Sequence, residues 1–211
     1  MKIISTNIAE PQYISWRGKR VKTGIFKKPI DIPLYLGKEG VANDEVSDQR
    51  VHGGINKACY LYGFNHYEHF KSLYPNLDWH YGMFGENITL EHLDESKINI
   101  GDIYKLGKAL VQVTQPREPC YKFGVKMGSL KVIKQFIDYA HSGIYIKILE
   151  EGDVSINDEL TPIESTKNSL SIFDFFKLIN APEKNQAHLK LAIENEMIPI
   201  NMRAMLMNFL D

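Results

Sequence analysis

From residue 1 to about 160, apolar residues come in short runs broken by Gly, Pro and Asn or Asp, and this texture predicts strands rather than helices. The runs are 1–8, 24–32, 58–62, 86–89, 102–106, 109–114 and 143–149. Each is about 5–8 residues long, too short for most helices and typical of strands. The run 109–114 leads straight into Pro116 and Pro119, which lack the N–H that a sheet ladder needs, so pairing is expected to stop there. Two stretches show helical spacing instead. One is 65–73, with Tyr67 and Phe70 followed by Tyr74; the other is 129–139, where Ile133, Phe136, Ile137 and Ala140 make an apolar stripe before Gly143.

The period changes after Pro162. A polar, turn-rich segment, 161–168, reads as a linker. Ser171 can cap a helix with Asp174 three residues on, and Ile172, Phe175, Phe176 and Ile179 form its apolar face. Pro182 can open a second helix carrying Leu189, Leu191, Ala192 and Ile193. Pro199 can open a third, in which Met202, Met205, Leu206 and Phe209 share a side and the methionines are read as packing residues. The expected organisation is therefore mainly β with some α: a β-barrel or sandwich over residues 1–162, then a three-helix module over 163–211. No internal repeat interrupts it.

Composition narrows the function classes. The 211 residues are 44% hydrophobic and 24% charged, a globular balance, and the formal charge is −1 from 25 basic and 26 acidic side chains. No global positive field exists to draw nucleic acid or anionic lipid onto the molecule. No run approaches the ~18 apolar residues of a membrane span, and residues 1–5 lack the apolar region of a signal peptide. A cytoplasmic location is expected, with neither nucleic acid nor membrane as partner. In that compartment Cys59 and Cys120 are not read as a disulfide. With no Cys-x-x-Cys pair, a structural zinc site has little support.

Three segments carry chemistry. In Gln115-Pro116-Arg117-Glu118-Pro119-Cys120-Tyr121-Lys122, prolines restrain a cysteine flanked by two cations, an arrangement that favours the thiolate, the form that binds soft metals. A buried, inert cysteine is the plain alternative. In Asp48-Gln49-Arg50-Val51-His52-Gly53-Gly54-Ile55-Asn56-Lys57, Gly53 and Gly54 permit close backbone approach, while Arg50, His52 and Lys57 offer donors to an anion. A hairpin turn would look the same. In Gly82-Met83-Phe84-Gly85-Glu86-Asn87-Ile88-Thr89, Asn87 and its neighbours can present donors and acceptors to a heterocycle, or simply begin a strand. Gly101-Asp102 is read as a turn. Tyr67, Tyr74, Trp79 and Tyr81 are read as core edge. The histidines other than His52, namely His66, His69, His80, His92, His141 and His188, are read as solvated. Cys120, His52 and Asp48 also suffice on paper for a metal-free nucleophilic triad.

In their order, Val51-His52-Gly53-Gly54 with Lys57-Ala58, Phe84-Gly85-Glu86-Asn87-Ile88-Thr89, Gly101-Asp102, the segment ending in Cys120, and Gly143-Ile144-Tyr145-Ile146 resemble the MOSC domain family, and within it the YiiM-type branch. Two places depart from the family pattern: Asp48-Gln49-Arg50 ahead of the Val-His-Gly-Gly run, and Ile55-Asn56 where Pro-Asp is more familiar. The resemblance implies a β-barrel that binds the molybdenum cofactor (molybdopterin), with Cys120 as metal ligand and catalytic centre. It also implies reduction of N-hydroxylated compounds such as hydroxylaminopurine base analogues. Arg50, His52, Gly53, Gly54, Lys57, Arg117 and Lys122 are the expected cofactor-binding residues, with Asn87 and Thr89 flanking the substrate side. A flavin or iron–sulfur protein would supply electrons, because two cysteines cannot hold a cluster. The three-helix module is read as its docking surface, as a homodimer contact, or as a brace for the barrel. The rival reading is a cofactor-binding or sulfur-carrying module without catalysis.

Overall fold

The computed structural model of the chain describes residues 1–47 and 53–210. Its largest unit is a mixed sheet in the spatial order β13 (Leu160–Glu164), β9 (Ile103–Leu106), β10 (Ala109–Pro116), β11 (Ile144–Glu150), β7 (Cys59–Gly63), β8 (Ile88–Leu90), β1 (Ile3–Ile8) and β4 (Lys28–Ile30). Neighbours are antiparallel apart from the parallel β7–β8 pair. The strands β5 (Leu34–Gly37), β6 (Gly40–Val41) and β12 (Gly152–Val154) form a small second sheet, and β2 (Gln12–Trp16) pairs only with β3 (Lys19–Thr23).

The expected barrel does not close. Residues Thr6 to Ile8 of β1 pair with β4 on one edge, so only the start of the chain can meet the opposite end of the sheet. It does so at one corner: Lys2 bridges Glu159, Ile3 N–H donates to the Asp158 carbonyl at 2.8 Å, and Leu160 N–H donates to the Met1 carbonyl at 2.8 Å. The fold is an open mixed sheet with helices, a mixed α/β architecture.

Both faces of the central strands are covered, which explains why β7 is buried at all five positions. The period of two along β7 sends Cys59 and Leu61 into one core and Tyr60 and Tyr62 into the other. The first core is aliphatic and includes Ile3, Val111 and Ile146. The second is aromatic, built on Phe70, Phe84, Phe123 and Phe136. The helices α1 (Tyr67–Leu73) and α3 (Lys131–Tyr139) cover the aromatic side. Their spacing was legible, although residues 64–66 form a short 3₁₀ turn ahead of α1. Phe70 and Phe136 are both fully buried.

The C-terminal helices are α4 (Ile172–Asn180), α5 (Gln186–Glu194) and α6 (Ile200–Met207). Ser171 caps α4 as expected, its hydroxyl accepting from Asp174 N–H at 3.0 Å. Pro182 does not open α5. It follows the last turn of α4, where proline bars continuation, and Asn185 caps α5 by accepting from His188 N–H at 3.0 Å. These helices share the aliphatic core with the sheet through Ile172, Phe175, Leu189 and Leu206. The methionine reading changes for α6. Leu206 is its buried residue, whereas Met205 and Met207 are about half exposed.

Candidate functional site

Three segments converge on a cleft at the end of β10. The strand continues through Pro116, whose last ladder partner is Ile144, two residues beyond the run read from the sequence. Residues 117–120 then turn into α2 (Tyr121–Lys126), with Cys120 at its N-cap and the Cys120 carbonyl accepting from Phe123 N–H at 3.0 Å. Composition around Pro116 and Pro119 masked this helix. Phe123 and Met127, four apart and buried, were its signal.

Cys120 is partly exposed and lines the cleft together with Lys57, Arg117 and Lys122. Arg117 is buried at 7% exposure, with its guanidinium over the rings of Tyr60 and Phe123 at 5.0 and 5.2 Å. Burial alone would lower its pKa, but Tyr60, Tyr145 and the Cys120 sulfur around it more than offset this, so its pKa is raised. Its Nη1 has no hydrogen-bond partner among the described residues. A buried charged donor without an acceptor is costly and calls for an anion. Burial lowers the pKa of Lys57, against the attraction of Glu118.

The opposite wall comes from the end of the β2–β3 hairpin and from residues 44–47. Gly24 allows these to meet, because a Cβ there would stand 1.8 Å from the Glu45 carbonyl oxygen. This wall brings in two residues that sequence reasoning missed. Lys27 and Asp44 form a buried ion pair with the ammonium on both carboxylate oxygens. Asp44 also accepts from Ala9 N–H at 2.9 Å and from Asn87 Nδ2 at 2.8 Å. Burial lowers the pKa of Lys27, opposed by Asp44. Nothing in the local sequence singles out these residues, which lie 17 positions apart.

The remaining expected site residues divide. Asn87 lines the cleft, but its amide is fully engaged: Oδ1 accepts from Tyr60 N–H at 3.2 Å while Nδ2 donates to Asp44. Thr89 is buried behind the wall, accepting from Asn7 Nδ2 at 3.1 Å and donating to Glu86 at 2.9 Å. Gly53 and Gly54 border a neighbouring groove with Lys57, Glu118 and Met202 of α6. Arg50, His52 and Asp48 lie outside the described residues. Cys59 is buried on the aliphatic face, and burial pushes its thiol pKa up. Gly101 holds a turn at φ 99°, and Asp102 accepts from Asn99 and Thr166 N–H groups.

Lys126, at the end of α2, ties the two walls together by donating to the carbonyls of Ile25 at 2.9 Å and Gly82 at 2.7 Å. Burial brings its pKa down to about 7, with Glu86 opposing and Arg117 and Lys27 adding to the fall. A lysine whose pKa is depressed on folding penalises the native state when charged. Stability therefore rises with pH from about 7 toward the unfolded value near 10.5. Between pH 7 and 8.5 the urea midpoint should climb, and Lys126→Met should reduce that climb. An identical slope in the variant would show that Lys126 is not its source.

Away from the cleft, His66 is buried rather than solvated, and it meets Glu95 at 3.3 Å while His141 meets the same carboxylate oxygen at 2.8 Å. Burial pushes the Glu95 pKa up, but the two imidazoles outweigh it and bring it down to about 2. The atoms are close enough to surround a cation. However, the two rings stack at 4.2 Å and 21°, and an imidazole binds metal in its own plane. The geometry is that of a hydrogen-bonded network bracing residues 93–95 against 141–143, where Glu95 also accepts from Gly143 N–H at 3.0 Å.

An open mixed sheet thus carries a cleft in which Lys57, Arg117 and Lys122 line the wall with a partly exposed cysteine at a helix N-cap. Comparison with known proteins makes this specific: the MOSC domain profile matches residues 48–161, and the chain belongs to the MOSC domain family. It is 31% identical to YflK of Bacillus subtilis over 210 residues, covering 99% of this chain and 94% of that protein. It is also 31% identical to YiiM of Escherichia coli over 140 residues, 65% of this chain and 62% of that one. A protein of Gibberella moniliformis named "Reductase" is 27% identical over 186 residues, and this chain spans 32% of its length. Among solved structures, YiiM from Geobacillus stearothermophilus superposes with a TM-score of 0.82 at 29% identity, covering 100% of this chain and 99% of that one. The family is associated with the molybdenum cofactor. No helix among the described residues is long and apolar enough to cross a membrane.

Proposed function

We propose that the protein is a molybdenum-cofactor-dependent reductase of N-hydroxylated compounds such as hydroxylaminopurine base analogues, with Cys120 as the metal ligand. The observation that carries this is the buried Arg117 guanidinium, with an unpartnered Nη1, in the cleft lined by Cys120. The donor set fits the group: a sulfur for a soft metal, and Arg117, Lys57 and Lys122 for the anionic pterin phosphate. When bound, the cofactor would supply a redox-active metal that accepts two electrons from the donor and passes them to the substrate's N–O group. The protein's own part is to fix the sulfur at the head of α2, hold the anion and limit water in the cleft. The family relative named as a reductase supports the reaction class.

A flavin or iron–sulfur protein is the electron donor in this reading, and the half-exposed residues Met205 and Met207 of α6 belong to the module against which it would dock. The metal-free alternative rests on His52 and Asp48, which lie outside the described residues. Protein made in a cofactor-competent host should carry molybdenum and pterin in equal amounts and reduce hydroxylaminopurine with a reduced viologen as donor. Bound cofactor without turnover would favour the carrier reading, and turnover by protein from a host that cannot make the cofactor would overturn the molybdenum assignment.

A further inference from the structure

We propose that Lys27 is the proton donor to the departing oxygen of the substrate, with Asp44 holding its ammonium in place, an inference that rests on the reductase reading above. Burying an ion pair seldom stabilises a fold, because desolvation of both charges offsets their attraction. Here the pair is buried on both sides, with side-chain exposures of 7% and 2%, yet it lines the same cleft as Cys120. Asp44 is fixed from three directions, by Ala9 N–H, the Asn87 amide and Lys27. The pair is thus held in place and desolvated on the wall of the cleft that Cys120 also lines. Those are the attributes of a prepared acid rather than of a surface salt bridge.

The chemistry requires such a group. Reduction of R–NH–OH to R–NH2 and water consumes two electrons and two protons as the N–O bond breaks. The electrons come from the reduced flavin or iron–sulfur donor. The oxygen leaves as water only if it is protonated, and the Lys27 ammonium supplies that proton from Nζ. The second proton reaches nitrogen from solvent, and solvent recharges the Lys27 amine afterwards. The charged or titratable groups around Lys27 are Asp44, Glu45, Glu86 and Cys59, with Lys126 and Arg117 beyond them. The lowered Lys27 pKa is in the direction that eases proton release near neutrality.

The test is kcat against pH, from 6 upward to the alkaline limit at which the protein stays folded, with hydroxylaminopurine saturating and reduced viologen as donor, alongside molybdenum and pterin content. In the wild type, kcat should fall on the alkaline side as Lys27 loses its proton. Lys27→Met should keep its metal and pterin, lose about 100-fold in kcat, and lose the alkaline limb. Lys27→Arg keeps the charge beside Asp44, and so guards against a folding defect. It should lose a similar factor, because a guanidinium does not release its proton. A kcat within threefold of wild type in either variant, a surviving alkaline limb in Lys27→Met, or loss of molybdenum in step with rate would overturn the proposal. The last result would make Lys27 a cofactor-holding residue. If the wild-type protein itself reduces no N-hydroxylated compound, it is the reductase reading that fails.

Discussion

Cys120→Ser is expected to abolish cofactor-dependent reduction of hydroxylaminopurine while leaving the protein folded. Loss of a partner that merely orients a metal ligand commonly costs about 10–100-fold, so loss of the ligand itself should exceed about 100-fold. A serine hydroxyl is nearly isosteric but is neither soft nor ionised at neutral pH, and molybdenum content should fall with activity. Stability should barely change. Cys120 is partly exposed, and the N-cap backbone bond from Phe123 N–H to its carbonyl does not involve the side chain. Serine is moreover a favoured N-cap residue, so a shift within about 0.5 kcal/mol is expected. Cys59→Ser is the contrasting control. Its sulfur lies in the aliphatic core at 1% exposure, with Leu61 and Ile146. That substitution should lower stability by about 1–3 kcal/mol, because it buries a hydroxyl in an apolar setting, and leave metal content unchanged. Equal loss of molybdenum in both variants would mean that the second sulfur belongs to the site.

The two cysteines show what a sequence can and cannot reveal. The run 58–62 was enough to place Cys59 on a strand, and the Pro-bounded segment was enough to mark Cys120 as restrained. These are local properties, carried by residues a few positions apart. The helices α1, α3 and α4 were legible for the same reason, since their apolar spacing lies within one element. What was hidden is non-local. Lys27 and Asp44 look like ordinary surface charges in the sequence, and only the approach permitted at Gly24 turns them into a buried pair on the cleft wall. The unclosed sheet is a similar case. The strand texture suits a barrel, but the pairing of residues 28–30 with the outer edge of β1 is a tertiary choice that no short-range pattern encodes. Conversely, Asn87 and Thr89 were read as flanking the substrate side, because a polar side chain near glycine reads the same whether it faces a ligand or a buried carboxylate.

That carboxylate, Glu86, is where the largest loss of stability should fall. It is fully buried and accepts from Gly82 N–H at 2.8 Å, Phe84 N–H at 3.0 Å, the Thr89 hydroxyl at 2.9 Å and the Tyr67 hydroxyl. Two of these donors are backbone groups of the turn that delivers Gly85 and Asn87 to the cleft, and Lys126 grips the same turn through the Gly82 carbonyl. Glu86→Leu would strand four donors in a space closed to water and remove a counter-charge acting on Lys126. Each unsatisfied donor costs about 1–3 kcal/mol, and relaxation will recover part of it, so a net loss of about 3–5 kcal/mol is expected. For a chain of this size that corresponds to roughly 10 °C in Tm. Glu86→Gln retains an acceptor oxygen but turns an amide donor toward the others, and should fall between wild type and Glu86→Leu. Thermal unfolding of both variants checks the order, and a loss below about 1 kcal/mol in Glu86→Leu would show that the turn is held by something else. Because that turn forms part of the cleft wall, molybdenum content should fall in the same order as Tm, linking the stability of a single buried carboxylate to the site it supports.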